Sequence, residues 1–258
     1  MLEEFREFTD WPAYELWLNE EREWVAGFDF PFGLPRRFVE ARGWPADWSG
    51  MVRACVRGGK DRFVEEAMRA FRGARSPEDK HRKTDLVTGS HSPLKTRANP
   101  PVGLMFYEGA WRLLASGARV PGLRATGSSR IALEAFPGYL VSRLGERYYK
   151  NDKPSSRSAH AAARKRIIRH LSRADVAPVP APLALGSASL DAKLMDPSGD
   201  WLDAVLCAMQ AAWGWRRRAR NFGLPETIES CEGWIVSAPG AGGGGWAVSG
   251  GRLQASSR

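Results

Sequence analysis

The sequence contains few cysteines and histidines, the residues that cross-link small secreted proteins or bind zinc. Its three cysteines, Cys55, Cys207 and Cys231, form no CxxC pair, which argues against a disulfide framework and against a thiolate zinc site. Its four histidines are scattered, with no HExxH motif, which argues against a histidine-built metal site. This use of cysteine predicts a reducing, cytoplasmic location.

Signals for export and membrane insertion are also missing. The first ten residues, MLEEFREFTD, are acidic where a signal peptide is basic. The longest apolar stretch, residues 204–215, is far shorter than the roughly 20 residues that cross a bilayer. The sequence therefore predicts neither secretion nor a membrane partner.

The composition is that of a folded protein with an excess of basic residues. Of its 258 residues, 43% are hydrophobic and 26% are charged, which excludes wholesale disorder, collagen and coiled coil. The net charge is +9, which favours a polyanionic partner. Residues 1–30 are acidic and residues 141–173 are strongly basic, which places the predicted partner-facing side in the second half of the chain.

Apolar residues recur with two different periods along the chain. Helical spacing predicts helices over residues 12–21, 48–57, 61–72, 102–115, 157–172 and 200–215. Short apolar runs that stop at proline or glycine predict strands at about residues 24–29, 130–134 and 233–237. Helices that alternate with short strands indicate an α/β fold.

The same patterns predict how the chain is divided. A single domain is expected over residues 1–238, with a helical insertion over about residues 37–115. Residues 74–100 are polar, basic and interrupted by proline, which predicts a long surface loop. The glycine-rich tail, residues 239–258, is predicted to be disordered.

Three carboxylates occupy apolar surroundings. Asp29 and Glu134 each end a predicted strand, and Asp203 lies in the first turn of an apolar helix. An isolated carboxylate is expensive to bury unless a cation or hydrogen bonds compensate it. Ligands of α/β sheets collect at the carboxyl ends of the strands. A shared Mg²⁺ or Mn²⁺ would explain all three acids, because hard cations prefer oxygen ligands.

Each acid also has a simpler explanation. Asp29 can cap the proline-rich turn that follows it. Glu134 can pair with Arg130 or with another arginine. Asp203 occupies a helix start, with Asp200 as N-cap, where acids interact with free N–H groups and with the helix dipole.

Seven short segments along the chain resemble those of one family. They are GFDFPFGLP from Gly27, HRKTD from His81, SPLK from Ser92, LEAFPG from Leu133, YK at Tyr149, DWLDA from Asp200 and EGWI from Glu232. In this order they resemble domain of unknown function 429, a family of predicted RNase H-like nucleases. The resemblance implies an RNase H-like mixed sheet flanked by helices, and metal-dependent hydrolysis of phosphodiester bonds.

The resemblance also implies an opening strand that carries a further catalytic Asp. Here the first predicted element is a helix, and nothing upstream of Trp24 has the pattern of that strand. Asp10 lies in a helix-start context and is a poor substitute. The sequence therefore predicts either a start that lacks the family's first strands or an incomplete site.

Two functions remain open at this point. The first is a two-metal nuclease in which Asp29, Glu134 and Asp203 hold the ions. The second is a catalytically incomplete RNase H-like module that binds nucleic acid or another partner. A sugar kinase of related fold is disfavoured because no glycine-rich phosphate-binding hairpin is present. The residues predicted to contact phosphates are Arg82, Lys83, Lys95, Lys150, Arg157, Lys165 and Arg166. The alternative for this basic set is a solvated helix face.

Overall fold

A computed structural model of the chain describes residues 1–20, 22–151, 153–174, 180–184 and 187–240. It is a mixed α/β structure with one two-stranded parallel sheet. The strands are β1 (Trp24–Phe28) and β2 (Arg130–Glu134). The helices are α1 (Trp11–Asn19), α2 (Arg36–Glu40), α3 (Trp48–Gly58), α4 (Lys60–Gly73), α5 (Lys83–Thr88), α6 (Val102–Ser116), α7 (Pro137–Arg143), α8 (Arg157–Arg173), α9 (Ala188–Leu194) and α10 (Asp200–Arg216).

The register of the sheet brings the ends of its strands together. Trp24 pairs with Arg130 and Phe28 pairs with Glu134, so β1 and β2 run side by side over their whole length. Both strands are short because proline follows closely, at Pro31 and Pro137, and proline cannot continue a ladder. The two predicted strands are therefore confirmed, and both open onto the same edge of the sheet.

Helix α10 packs directly against β1. A Cβ atom at Gly27 would lie 2.3 Å from the backbone oxygen of Cys207, so only glycine allows the helix to approach this closely. Residues on both sides of this contact form apolar clusters, one of which joins Ile131 and Leu133 of β2 to Trp213 of α10. The contact between Gly27 and Cys207 sets the position of the candidate site.

The segment between the strands is helical and holds no strand. Residues 36–116 contain α2 to α6, and the apolar faces of α2, α3, α4 and α6 join a large apolar cluster around Trp48, Phe63 and Phe106. The predicted helices α3, α4 and α6 are confirmed to within one residue at each end. The division into one domain with a helical insertion stays a prediction.

The prediction of a long surface loop over residues 74–100 is wrong. This segment contains α5, and Arg82, Asp85 and Leu94 within it are at most 1% exposed. The segment is drawn inward because the charged side chains of Arg82 and Asp85 neutralise each other, which allows both to be buried.

Two further predictions need correction. The predicted strand at residues 233–237 is only an isolated bridge between Ile235 and Glu134. Gly233 and Ser237 have φ angles of 75° and 77°, and such left-handed residues turn the chain away from an extended course. The N-cap of α10 is Gly199, and Asp200 is the first residue of the helix.

The ends of the chain contribute little to the sheet. The described residues before β1 hold α1 and one isolated bridge at Leu2, and Asp10 caps α1 by accepting a hydrogen bond from the Ala13 backbone N–H at 2.8 Å. The predicted disorder of the glycine-rich tail falls on residues 241–258, which lie outside the described part. Among the described helices, none has the length and apolar character required to span a membrane.

Candidate functional site

A cavity of about 410 Å³ lies at the carboxyl ends of β1 and β2. Its polar part contains four acids, two cations, a histidine, a serine and a tyrosine, and the rest of its lining is apolar. Cavities of this size, apolar with a few converging polar groups, are typical of ligand sites. The acids and cations are Asp29, Glu134, Asp200, Asp203, Arg82 and Lys150.

The cavity brings Asp29 and Asp203 together for a geometric reason. Asp29 follows Gly27 by two residues, and residues two apart along an extended chain lie on the same face of the sheet. Asp203 precedes Cys207 by four residues, so both lie on one face of α10. Because Gly27 contacts Cys207, Asp29 and Asp203 become neighbours, and the charge of Asp203 raises the pKa of Asp29.

Among the acids of the cavity that are not exposed, Asp29 alone accepts no hydrogen bond from the described residues. It is half-buried, and no backbone or side-chain donor among the described residues forms a hydrogen bond with it. Burial, followed by the charges of Asp203 and Glu134, raises the pKa of Asp29 to about 7, although Lys150 opposes the shift. The alternative that Asp29 caps the following turn is therefore wrong, because no turn N–H contacts it.

Asp203 is buried and held by two neighbours from another segment. Its Oδ1 accepts a hydrogen bond from the Tyr149 hydroxyl, and its Oδ2 accepts one from Lys150 Nζ at 2.5 Å. Burial would lower the pKa of Lys150, but Asp203 and Asp29 raise it above its ordinary value, so the ammonium keeps its charge. Lys150 thus supplies positive charge beside both acids.

Glu134, which the sequence predicts to be a metal ligand, is already paired within the protein. It is 3% exposed, and Arg82 donates to Oε1 at 2.7 Å and to Oε2 at 2.9 Å. The backbone N–H of Phe32 also donates to Oε2 at 3.0 Å. The alternative that Glu134 pairs with an arginine is confirmed, and the partner is Arg82 instead of Arg130.

The three predicted acids consequently do not form one open cluster. Asp29 and Asp203 line the same cavity and are close enough for their charges to interact, whereas Glu134 is paired with Arg82. Nowhere in residues 1–240, leaving aside the undescribed positions, do three or more His, Cys, Asp or Glu side chains form a group that could hold a metal ion. The pair of Asp29 and Asp203 is the part of the predicted site that the structure assembles.

The predicted phosphate-binding residues occupy different places. Arg82 and Lys150 line the cavity, but Arg82 is buried, so it cannot be the exposed contact that was predicted. Lys83 pairs with Glu229 at 2.6 Å, and Arg166 pairs with Glu146. Lys95 is half-buried, and Arg157 and Lys165 are exposed on α8. None of these five lines the cavity.

Sequence reasoning missed several residues of the cavity. Tyr149 orients Asp203, and its only signal is its place in the YK segment. His91 lines the cavity, and burial together with nearby Lys95 lowers its pKa. The pairing of Arg82 with Asp85 has a weak signal in their spacing of three residues within a helix start.

Replacing Asp29 with asparagine is expected to stabilise the protein at high pH. The pKa of Asp29 rises from 3.8 to about 7 on folding, so the folded protein takes up a proton between these values. The stability that Asp29 contributes is therefore fully present below its unfolded pKa and is lost as the pH rises through 7. Asparagine does not titrate. The difference in free energy of unfolding between Asp29→Asn and wild type should therefore shift in favour of the variant by about 1–2 kcal/mol from about pH 5 to about pH 8.

Urea unfolding of both proteins at the two pH values measures this gain. The matched control is Asp61→Asn, which changes an exposed acid in the first turn of α4. Its effect on the free energy of unfolding should be the same at both pH values. If Asp29→Asn also changes the free energy of unfolding by the same amount at both pH values, the raised pKa of Asp29 is contradicted.

Comparison with known proteins gives one match. Searches of curated proteins and of solved structures find no match to the chain. A family whose members are described only as proteins of unknown function matches residues 5–227. This range covers most of the chain and includes β1, β2 and the acids of the cavity. The chain therefore belongs to the family of proteins of unknown function called DUF429.

Proposed function

We propose that the chain is a metal-dependent nuclease that hydrolyses phosphodiester bonds, with Asp29 and Asp203 as ligands of Mg²⁺ or Mn²⁺. One observation carries the proposal: in a cavity at the end of β1, a half-buried carboxylate that accepts no hydrogen bond from the described residues lies near a second carboxylate. The proposal includes an RNase H-like fold, and acids on a parallel strand and on the helix packed against it support this. Cysteines that are buried free thiols support a cytoplasmic location.

The chemistry of the acid pair fits a hard cation. Mg²⁺ keeps several waters and is commonly bound by one or two carboxylates together with substrate phosphates. Asp29 offers both carboxylate oxygens, and Asp203 would share its oxygens with Lys150 and Tyr149. Glu134 does not fit as a ligand, because Arg82 uses both of its oxygens. When bound, the ion would supply charge stabilisation and lower the pKa of a bound water.

The chain's own residues would orient this site. Tyr149 and Lys150 hold the Asp203 carboxylate in one position. The Lys150 side chain is 40% exposed, so its ammonium remains accessible to a substrate phosphate. Arg82 fixes Glu134 and the loop at Phe32 behind the site. Rigid support of this kind keeps reacting groups within the small tolerance that catalysis needs.

Cleavage of labelled DNA and RNA, single- and double-stranded, tests the proposal. With Mg²⁺ or Mn²⁺ we expect hydrolysis that chelation abolishes, and binding that weakens steeply as salt increases, because phosphate contacts release counterions. The absence of cleavage on all four substrates with either ion would contradict the proposal. Cleavage that persists in chelator would contradict the role of the cation.

The second candidate is a nucleic-acid-binding module that does not hydrolyse its ligand. The ion pair between Glu134 and Arg82 favours this candidate, because it leaves one of the three predicted acids unable to bind a metal ion. Binding without cleavage in the same assay, with strong salt dependence, would support this candidate.

A further inference from the structure

The cavity beside Asp29 has walls that do not suit a phosphate. Most of its uncharged lining consists of apolar side chains, among them Phe30, Pro31, Val102, Met105, Phe136 and Pro137. Transfer of a phosphodiester anion into such surroundings is strongly unfavourable. The part of a substrate that contacts these apolar side chains is therefore expected to be neutral and largely apolar on its faces.

Phe30 forms a rigid wall. Its ring forms a triangle with those of Phe28 and Phe32, with centroid distances of 5.7 Å and 5.4 Å to them and 6.2 Å between them. It also packs against Gly109 of α6, where a Cβ atom would come within 2.6 Å of the ring. The glycine thus allows the helix to support the ring, and the wall needs no rearrangement before a ligand binds.

Phe136 contributes a second phenylalanine ring to the cavity, and the ring lies beside Gly138 of its own turn. The backbone N–H of Phe136 donates to Gln210 Oε1 at 3.0 Å, which fixes the residue at the end of β2. The side chain is half-buried, and it stacks on no other aromatic ring of the described chain. A half-exposed phenylalanine that lines a cavity and has no ring partner offers a surface for stacking.

We propose that this cavity is a subsite for one unpaired nucleobase, so that the substrate is single-stranded nucleic acid. The inference rests on the proposed function of the acid pair. A nucleobase is flat, uncharged and one sugar away from a phosphate, so a base against Phe136 and Met105 leaves its phosphate near Asp29 and Lys150. A base in a duplex is stacked and paired, and it can enter such a pocket only after being extruded.

Binding measured without cleavage tests the subsite. The probe is a short fluorescent single-stranded oligonucleotide, compared with its blunt duplex and with a strand that contains abasic positions. Using Asp29→Asn in chelator, so that no hydrolysis intervenes, we expect the intact strand to bind at least about tenfold more tightly than the abasic strand. Equal affinity for the intact strand, the abasic strand and the duplex would overturn the inference.

Two variants locate the base in the cavity. Phe136→Ala removes the stacking surface, and Met105→Trp fills the space without removing any polar group. Each should reduce the preference for the intact strand over the abasic strand by about tenfold, whereas Leu86→Ala, an exposed residue of α5 away from the cavity, should retain it. An unchanged preference in both cavity variants would overturn the inference.

The outcomes separate the subsite from the proposed hydrolysis. If wild type cleaves nucleic acid but binds abasic and intact strands equally well, the proposed hydrolysis stands and the base subsite is rejected. Base-dependent binding that both cavity variants weaken, without any cleavage, supports the subsite and rejects the hydrolysis.

Discussion

Replacing Arg82 with methionine is expected to destabilise the protein by about 3–5 kcal/mol, because it leaves two carboxylates buried without a counter-charge. The Arg82 guanidinium donates to both oxygens of Asp85, to both oxygens of Glu134 and to the backbone oxygen of Glu232. Burial alone would lower the pKa of Arg82, but Asp85 and Glu134 raise it, so its charge is permanent. Urea unfolding at neutral pH measures the loss.

A surface arginine provides the matched control. Arg37 pairs with Asp79 at 2.7 Å, but its side chain is 59% exposed, so Arg37→Met should lower the free energy of unfolding far less than Arg82→Met. A triple variant combines Arg82→Met with Asp85→Asn and Glu134→Gln, which neutralise the two acids left without their arginine. It should recover part of the stability that Arg82→Met removes. If Arg82→Met is no more damaging than Arg37→Met, the buried network is not what holds this segment in place.

Replacing Asp29 with asparagine is expected to reduce the rate of phosphodiester cleavage by about a thousandfold, which corresponds to about 4 kcal/mol of transition-state stabilisation. Asn keeps the shape of the side chain but removes the negative charge that the cation requires. Asp203→Asn should have a comparable effect, since the second acid lines the same cavity and its charge acts on the first. Single-turnover cleavage at saturating Mg²⁺ measures both rates.

Controls separate this loss from unfolding. Asp29→Asn is expected to be at least as stable as wild type at neutral pH, so a rate loss in that variant cannot come from a damaged fold. The exposed Asp61→Asn should cleave at the wild-type rate. Wild-type rates in both Asp29→Asn and Asp203→Asn would show that the cleavage arises elsewhere or from a contaminant.

Part of the site could be predicted because its residues follow local patterns. Asp29 and Glu134 each follow or end a short apolar run that stops before proline, and these runs do form the paired strands. Asp203 could be placed on an apolar helix, which packs on β1 as its nearly continuous apolar surface suggests. Local sequence therefore predicts which elements carry these acids, and the long-range contact between Gly27 and Cys207 brings Asp29 and Asp203 together.

The remainder depends on contacts that the local sequence does not encode. Arg82 lies 52 residues before Glu134, within a polar segment that has the composition of a surface loop. Such a segment is buried only when its charges find partners, and those partners are known only once the chain is folded. Likewise, the apolar run near Ile235 has the pattern of a strand, but left-handed Gly233 and Ser237 limit it to one bridge.

Titration of Mn²⁺ into the protein, with the free ion counted by electron paramagnetic resonance, measures cation binding independently of any activity. Wild type should bind Mn²⁺ and release it to Mg²⁺, and Asp29→Asn should bind at least about tenfold more weakly. Lys150→Met should bind more tightly than wild type, because the competing ammonium beside Asp203 is gone. Mn²⁺ binding that is equally strong in Asp29→Asn and in wild type, or absent from wild type, would contradict a cation site at Asp29 and Asp203.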